Sequence, residues 1–244
     1  LKHANKIAMK QILGGIRKAV EEYDMIQDGD KIVVGVSGGK DSMVLLYGMK
    51  LFQRFSPVKY DLAAVTIGMG FENFDTSPIE EFCKKIDVPY YVVDTDIAEI
   101  IFDIRKEKNP CALCAKMRRG ALHDKVKDLG FNKVALGHHA DDALETLFLS
   151  MFYEGRISTF KPVTYLSNKD IHCIRPMLLL KEAQVEGVMN RHDIPVVESP
   201  CPMDRHTKRE DMKLLLKSIY KDIPEGRDRL IRAIRNKDQL SLWF

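Results

Sequence analysis

Three sets of residues in this chain have the types and spacing for chemistry. Ser37-Gly38-Gly39-Lys40-Asp41-Ser42 packs two glycines, a lysine, two serines and an aspartate into one short string. Glycines let backbone N–H groups converge on an anion, most effectively where a strand hands over to a helix N-terminus. Lys40 adds a mobile positive charge, Ser37 and Ser42 add hydroxyl donors, and Asp41 can hold a magnesium ion bridging phosphate oxygens. The string suits a polyphosphate. It is not a Walker A loop, which requires four residues between its first and second glycines, and it is not a dinucleotide fingerprint.

The second set is Gly137-His138-His139-Ala140-Asp141-Asp142, again placed where a strand pattern meets a helix pattern. A histidine alone is more often a satisfied, partly buried side chain than a ligand. Paired with the first string, it reads as part of one site. The third set is drawn from the five cysteines, Cys83, Cys111, Cys114, Cys173 and Cys201. Cys111-Ala112-Leu113-Cys114 fits half a zinc site, a redox dithiol or part of an iron–sulfur site, and spacing alone does not choose among them. A structural zinc would need four ligands, for which Cys173, His172 and His206 are candidates.

The elements that must position these residues follow from periodicity. Ile12, Ile16, Ala19, Val20 and Tyr23 recur at helical spacing and predict an amphipathic helix over 4–24. Lys31 to Val36 is a β-branched run suited to a strand buried on both faces, followed by the small-residue loop and a helix from 42 to 54. The alternation continues with strands at 62–67, 90–93 and 133–136 and helices at 77–86, 97–101, 116–129 and 141–152. Such alternation implies βαβ crossovers and a parallel sheet, with ligands at the carboxyl ends of the strands. Beyond Tyr153, residues 160–165 and 171–174 predict a hairpin, and helices are expected over 181–192, 208–220 and 227–237. Pro200-Cys201-Pro202 predicts a stiff turn that fixes where Cys201 points.

The chain of 244 residues, 45% hydrophobic and 30% charged, has the composition of an ordinary globular protein with one substantial core. No apolar run approaches the roughly 20 residues of a membrane span, and the charged amphipathic start does not read as a secretory signal, so a cytoplasmic location is expected. A reducing compartment turns the cysteines toward metal or thiol chemistry rather than disulfides. The net charge is only +3, so a nucleic-acid partner would meet local basic clusters. These are Arg105, Lys106 and Lys108; Lys116, Arg118 and Arg119; and Arg205, Lys208 and Arg209, each beside a cysteine.

The first string resembles the signature of the PP-loop ATP pyrophosphatase superfamily, and the Gly-His-His string resembles its later sheet motif. From about Gly29 to Lys213, the run from Cys111 through Arg118-Arg119-Gly120-Ala121-Leu122 and Leu147-Phe148-Leu149-Ser150-Met151-Phe152-Tyr153 is similar to the tRNA 2-thiocytidine synthetase family. That resemblance implies an α/β fold, a Rossmann-like PP-loop core over 29–155, an N-terminal helix over 1–28, and a C-terminal extension over 156–244 that completes a cluster site. It implies that Ser37, Gly38, Gly39, Lys40, Asp41, Ser42, Val65, Gly137 and His138 bind ATP with magnesium. It also implies that Cys111, Cys114 and Cys201 hold a 4Fe-4S cluster with one iron lacking a protein ligand, and that Asp141, with Lys116 or Arg118, serves the reacting centre.

The substrate implied is tRNA, adenylated at the C2 oxygen of a pyrimidine, most simply an anticodon-loop cytidine, and then thiolated. The base would be splayed from a loop, since an A-form duplex hides C2. A sulfur donor, either a cysteine desulfurase or free sulfide, and a homodimer are implied as well. Cys83 and Cys173 are expected to be buried structural thiols. The chain departs from better-known members in carrying Cys201-Pro202-Met203-Asp204 where they have a second CxxC, and in a shorter C-terminal region. Two other classes remain open at this point: another PP-loop enzyme making 2-thiouridine or lysidine, and a zinc-stabilised RNA-binding protein.

Overall fold

A computed structural model describes residues 2–107, 110–203, 207–236 and 238, with side chains for all of these except 2–6. Contacts divide the chain into two units, one of residues 1–139 and 161–204 and one of residues 140–160 and 205–244. The expected boundary at 155 falls inside the first segment of the smaller unit, 140–160. Part of the C-terminal extension supplies strands to the sheet, while the helix after Gly137-His138-His139 groups with the last two helices.

In the larger unit, the elements run α1 (Lys2–Glu22), β1 (Asp30–Gly35), α2 (Lys40–Phe52), β2 (Tyr60–Gly68), α3 (Ser77–Lys85), β3 (Tyr90–Asp94), a π-helix (Glu99–Ile104), α4 (Pro110–Asp128) and β4 (Lys133–Ala135). The smaller unit's helix α5 (Ala140–Glu154) intervenes in the chain before β5 (Val163–Leu166), β6 (Ile171–Ile174) and α6 (Glu182–Met189) return to the larger unit. The sheet order is β3-β2-β1-β4-β6-β5. All neighbours are parallel except β5 and β6, which form the expected antiparallel hairpin at one edge.

The β-branched strands are buried because both faces of the sheet are covered. On β1, Ile32 and Val34 face the core shared with α1, α2 and α6, whereas Val33 faces the core shared with α4. The α1 stripe buries Ile12 and Ile16 completely, each worth about 1.5–3 kcal/mol relative to exposure. Gly48 permits that approach, since a Cβ there would stand 2.7 Å from Ile16 Cδ1. At the amino ends of β1 and β4, Lys133 Nζ lies 2.7 Å from Asp30 Oδ2 and donates to the Met25 carbonyl at 2.9 Å. Asn132 Nδ2 donates to Asp30 Oδ1 at 2.7 Å, so the buried carboxylate is bonded on both oxygens.

β2 and β3 lie on one side of β1 and β4 on the other, so the strand order reverses between β1 and β4. In open α/β sheets a ligand crevice lies outside the carboxyl ends at such a reversal.

The smaller unit contains α5, α7 (Lys208–Asp222) and α8 (Gly226–Arg235). Its apolar centre is Leu144, Met212 and Leu216, with Phe148, Ile219, Leu230 and Ile234 packed around them. The Thr207 hydroxyl caps α7 by accepting from the Glu210 N–H at 3.3 Å.

Candidate active site

β1 delivers the chain into Ser37 at the carboxyl edge of the sheet, and α2 starts three residues later. Gly38 has φ +84, the left-handed region that only glycine enters without strain. Gly39 caps α2 without any side-chain hydrogen bond, so the first-turn N–H groups of α2 form the donor array and positive dipole end that bind anions. The loop is braced by its serines: the Ser37 N–H donates to Ser42 Oγ at 3.1 Å, and Ser42 Oγ donates to the Gly39 carbonyl at 2.9 Å.

Lys40 Nζ stands 3.1 Å from Asp41 Oδ1 and 3.0 Å from Glu182 Oε1. Burial alone would lower this ammonium, but Asp41 and Glu182 outweigh it and the net displacement is upward. Glu182, the first residue of α6, escaped sequence analysis because nothing in a solvated-looking acidic helix start marks it as a partner 142 residues away.

The second string meets the first through backbone. A Cβ on Gly137 would fall 2.9 Å from the Asp41 carbonyl carbon and 3.0 Å from the Ser42 nitrogen, so only glycine lets the two loops touch. His139 is buried, with Nε2 3.7 Å from Asp41 Oδ1, and His138 is half-buried beside it. The Val65 side chain lies in the core on the α4 side, and its carbonyl accepts from the Val36 N–H at 2.8 Å, bracing the strand end that leads into the loop.

The CxxC pair lies inside a helix, whereas the sequence predicted a helix beginning only at 116. α4 starts at Pro110, a residue suited to a first helical turn, and carries Cys111 and Cys114 one turn apart on one face. A helix N-terminus favours thiolate over thiol. Cys114 Sγ lies 3.5 Å from Met69 Sδ, just past the carboxyl end of β2. Its thiol is raised by burial first, then lowered by Arg118 and raised again by Cys201 and Cys111. Among the described residues no group of three or more His, Cys, Asp or Glu side chains already stands as a metal-binding set.

Arg118, four residues after Cys114, shares its helix face, whereas Lys116 is turned about 200° away by the helical repeat and is exposed. Of the other zinc candidates, Cys173 is buried in the sheet core and His172 lies beside it on β6, while His206, with Asp204, Arg205 and Lys108, lies outside the described residues. Cys83 is buried in the opposite core, its thiol pushed up to about 11 by burial and Glu80. Both behave as the structural thiols expected.

Cys201 reaches this region through the segment after α6. The Val197 N–H donates to the Gly38 carbonyl at 3.0 Å, and a Cβ on Gly38 would meet Val197 Cβ at 3.1 Å. The cysteine arm is thus anchored on the anion loop itself.

Within the smaller unit, Asp141 opens α5 and is gripped by Arg227 of α8, whose Nε and Nη2 both lie 2.5 Å from its carboxylate oxygens. Arg209, expected in a basic cluster facing a nucleic-acid partner, bonds to Asp142 at 3.3 Å, Glu145 at 3.4 Å and Thr146 at 3.1 Å. Sequence analysis missed Arg227 because helix periodicity does not reveal which distant carboxylate an arginine will meet.

Comparison with known proteins agrees with this architecture. A family model described as the PP-loop domain matches residues 9–217. The tRNA-cytidine(32) 2-sulfurtransferase of Geobacter sulfurreducens is 35% identical over 235 residues, covering 95% of this chain and 91% of that protein. The enzyme of the same name from Aliivibrio fischeri is 34% identical over 234 residues, covering 95% and 76%. Among solved structures, the tRNA thiolase NcsA of Methanococcus maripaludis, described with its 4Fe-4S cluster, superposes with a TM-score of 0.78 at 23% identity, covering 97% and 81%. NMN synthetase of Francisella tularensis gives 0.51 at 14% identity, covering 98% and 99%.

Proposed function

From the premise that this chain belongs to the tRNA-cytidine(32) 2-sulfurtransferase family of PP-loop proteins, we propose that it thiolates a tRNA cytidine at C2 in an ATP-dependent reaction. The observation that carries the reading is the Gly38–Val197 hydrogen bond, which ties the segment leading to Cys201 onto the anion loop. Nucleotide loop and cysteine arm are one construction, as a reaction coupling ATP to sulfur insertion requires.

The residues divide the work. The N–H groups at the start of α2, with Ser37 and Ser42, bind the polyphosphate, and Lys40 exchanges its carboxylate partners for phosphate oxygens. Asp41 is the candidate magnesium ligand. The C2 oxygen of the base attacks the α-phosphorus and pyrophosphate leaves, which converts a poor leaving group into AMP. Arg118 stabilises negative charge developing on the base, and Asp141 serves the reacting centre. Basic residues left exposed beside the cysteines, Arg105, Lys106, Lys116 and Arg119, are the candidate contacts to tRNA phosphates.

The donor chemistry suits an iron–sulfur group: two thiols one turn apart at the start of α4 and a third, Cys201, on the segment bonded to the anion loop, with the remaining cysteines sequestered in separate cores. Cys111, Cys114 and Cys201 would hold it. When bound, such a group supplies an iron without a protein ligand, at which a soft sulfide can be kept near the activated base.

The test is to incubate anaerobically purified protein with tRNA, sulfide and magnesium, with and without ATP, and to digest the tRNA to nucleosides. We expect 2-thiocytidine only with ATP, with one AMP formed per thiolation. Thiolation without ATP, or a different thionucleoside, would overturn the reading.

A further inference from the structure

We infer that Arg227 is the positioning residue of Asp141: its guanidinium, forked across both carboxylate oxygens, fixes the plane in which that carboxylate is presented at the start of α5. Any catalytic consequence rests on the thiolation reading above; the pair itself does not.

Asp141 is the second residue of α5, in a first turn that also carries Asp142. Two arginines of the smaller unit reach this pair of adjacent carboxylates. Arg209 of α7 reaches Asp142 and Glu145, and Arg227 of α8 reaches Asp141 through Nε and Nη2, 2.5 Å from each oxygen. The remaining amine of Arg227 stands 3.8 Å from Asp228.

The pair is largely removed from water, with side-chain exposures of 14% for Arg227 and 19% for Asp141. Low dielectric strengthens a two-point contact and makes either partner alone costly. Tyr220 borders the same pair, and its hydroxyl is held protonated, pushed up to about 12 by burial first and by Asp141 next.

The fork takes one lone pair on each oxygen of Asp141 and so sets the plane of the carboxylate. Lysine, a point charge on a flexible stem, would neutralise Asp141 without fixing that plane. This predicts that geometry, more than charge, is what Arg227 contributes. Arg227 also lies beyond residue 217, where the family match ends, so the motif that flags Asp141 does not flag its partner.

The test uses the full chain prepared anaerobically, in the variants Arg227→Lys, Arg227→Met, Asp141→Asn and the double variant Arg227→Met with Asp141→Asn. Thiolation kcat, the KM for ATP and thermal unfolding are measured for each. Misplacing a reacting group by about 1 Å costs on the order of a hundredfold. We expect Arg227→Met to lose about that in kcat with little change in KM, and Arg227→Lys to recover only part of it.

The double variant should be no slower than Asp141→Asn, and the destabilisations of the single variants should sum to more than that of the double. Full kcat in Arg227→Met, complete rescue by lysine, or losses in kcat that add in the double variant would overturn the positioning role. Additive destabilisations would overturn the pair itself. Wild-type protein without ATP-dependent thiolation would sink the functional reading and the catalytic consequence together, while the unfolding cycle still judges the pair.

Discussion

The Val197 N–H donates to the carbonyl of Gly38 at 3.0 Å, so the segment that carries Cys201 is hydrogen-bonded to the glycine loop between β1 and α2. Replacing Val197 by proline removes the donor while leaving the loop's own serine braces in place. The expected outcome is a fall in thiolation of tenfold or more, with ATP binding held within a few-fold, since a misplaced group costs up to about a hundredfold. Equilibrium binding of a non-hydrolysable ATP analogue, measured beside turnover, checks the split; equal losses in both would mean that the bond serves only the loop.

Cys201→Ala should abolish the broad visible absorption of anaerobically purified protein together with thiolation, while ATP binding survives. Cys83→Ala should do neither, because its sulfur is enclosed in the core beneath α3 and its loss costs about 1 kcal/mol of stability. A Cys201→Ala protein that kept both its absorption and its activity would remove that residue from the site.

Gly137→Ala drives a methyl carbon into the Asp41–Ser42 peptide, 2.9 Å from a backbone carbon that cannot swing aside as a side chain would. We expect a loss of about 1–3 kcal/mol in stability and a markedly weaker affinity for the ATP analogue. Wild-type affinity in this variant, read by titration calorimetry, would show that the two loops need not touch.

The Asp30–Lys133 pair makes stability depend on acid. Burial would raise the Asp30 carboxyl, but the Gln27 N–H, Lys133 and Asn132 more than offset it and hold it below its ordinary value. A depressed folded pKa contributes stability that is fully present above the unfolded value, near about 3.9, and is lost as pH falls through the lower folded one. The stability difference between wild type and Asp30→Asn should therefore be flat above about pH 5 and shrink below about pH 4. Lys133→Met, which strands a buried carboxylate, should cost about 3–5 kcal/mol at neutral pH. Denaturant unfolding across the pH range checks both.

Much of this protein was legible before its fold was described, for local reasons. The β-branched run at 31–36, the two glycines after it and the apolar spacing of 12, 16, 19 and 20 are governed by backbone sterics and one-dimensional periodicity. They gave the strand, the loop and α1 within a few residues. The hairpin was equally local. The helical periodicity places the start of α4 at 116, six residues late, because the CxxC carries no apolar period, although Pro110 suits the first turn of a helix.

The sequence by itself determined which side chains could do chemistry and that a parallel sheet would carry them, because residue type and period act over a few residues. Only the tertiary structure decided which partners those side chains meet. Glu182 pairs with Lys40, Arg227 grips Asp141, Val197 anchors on Gly38, and Lys116 turns away from Cys114. Long-range ion pairs and close backbone approaches depend on how packed elements converge in space, and no local spacing along the chain encodes that convergence.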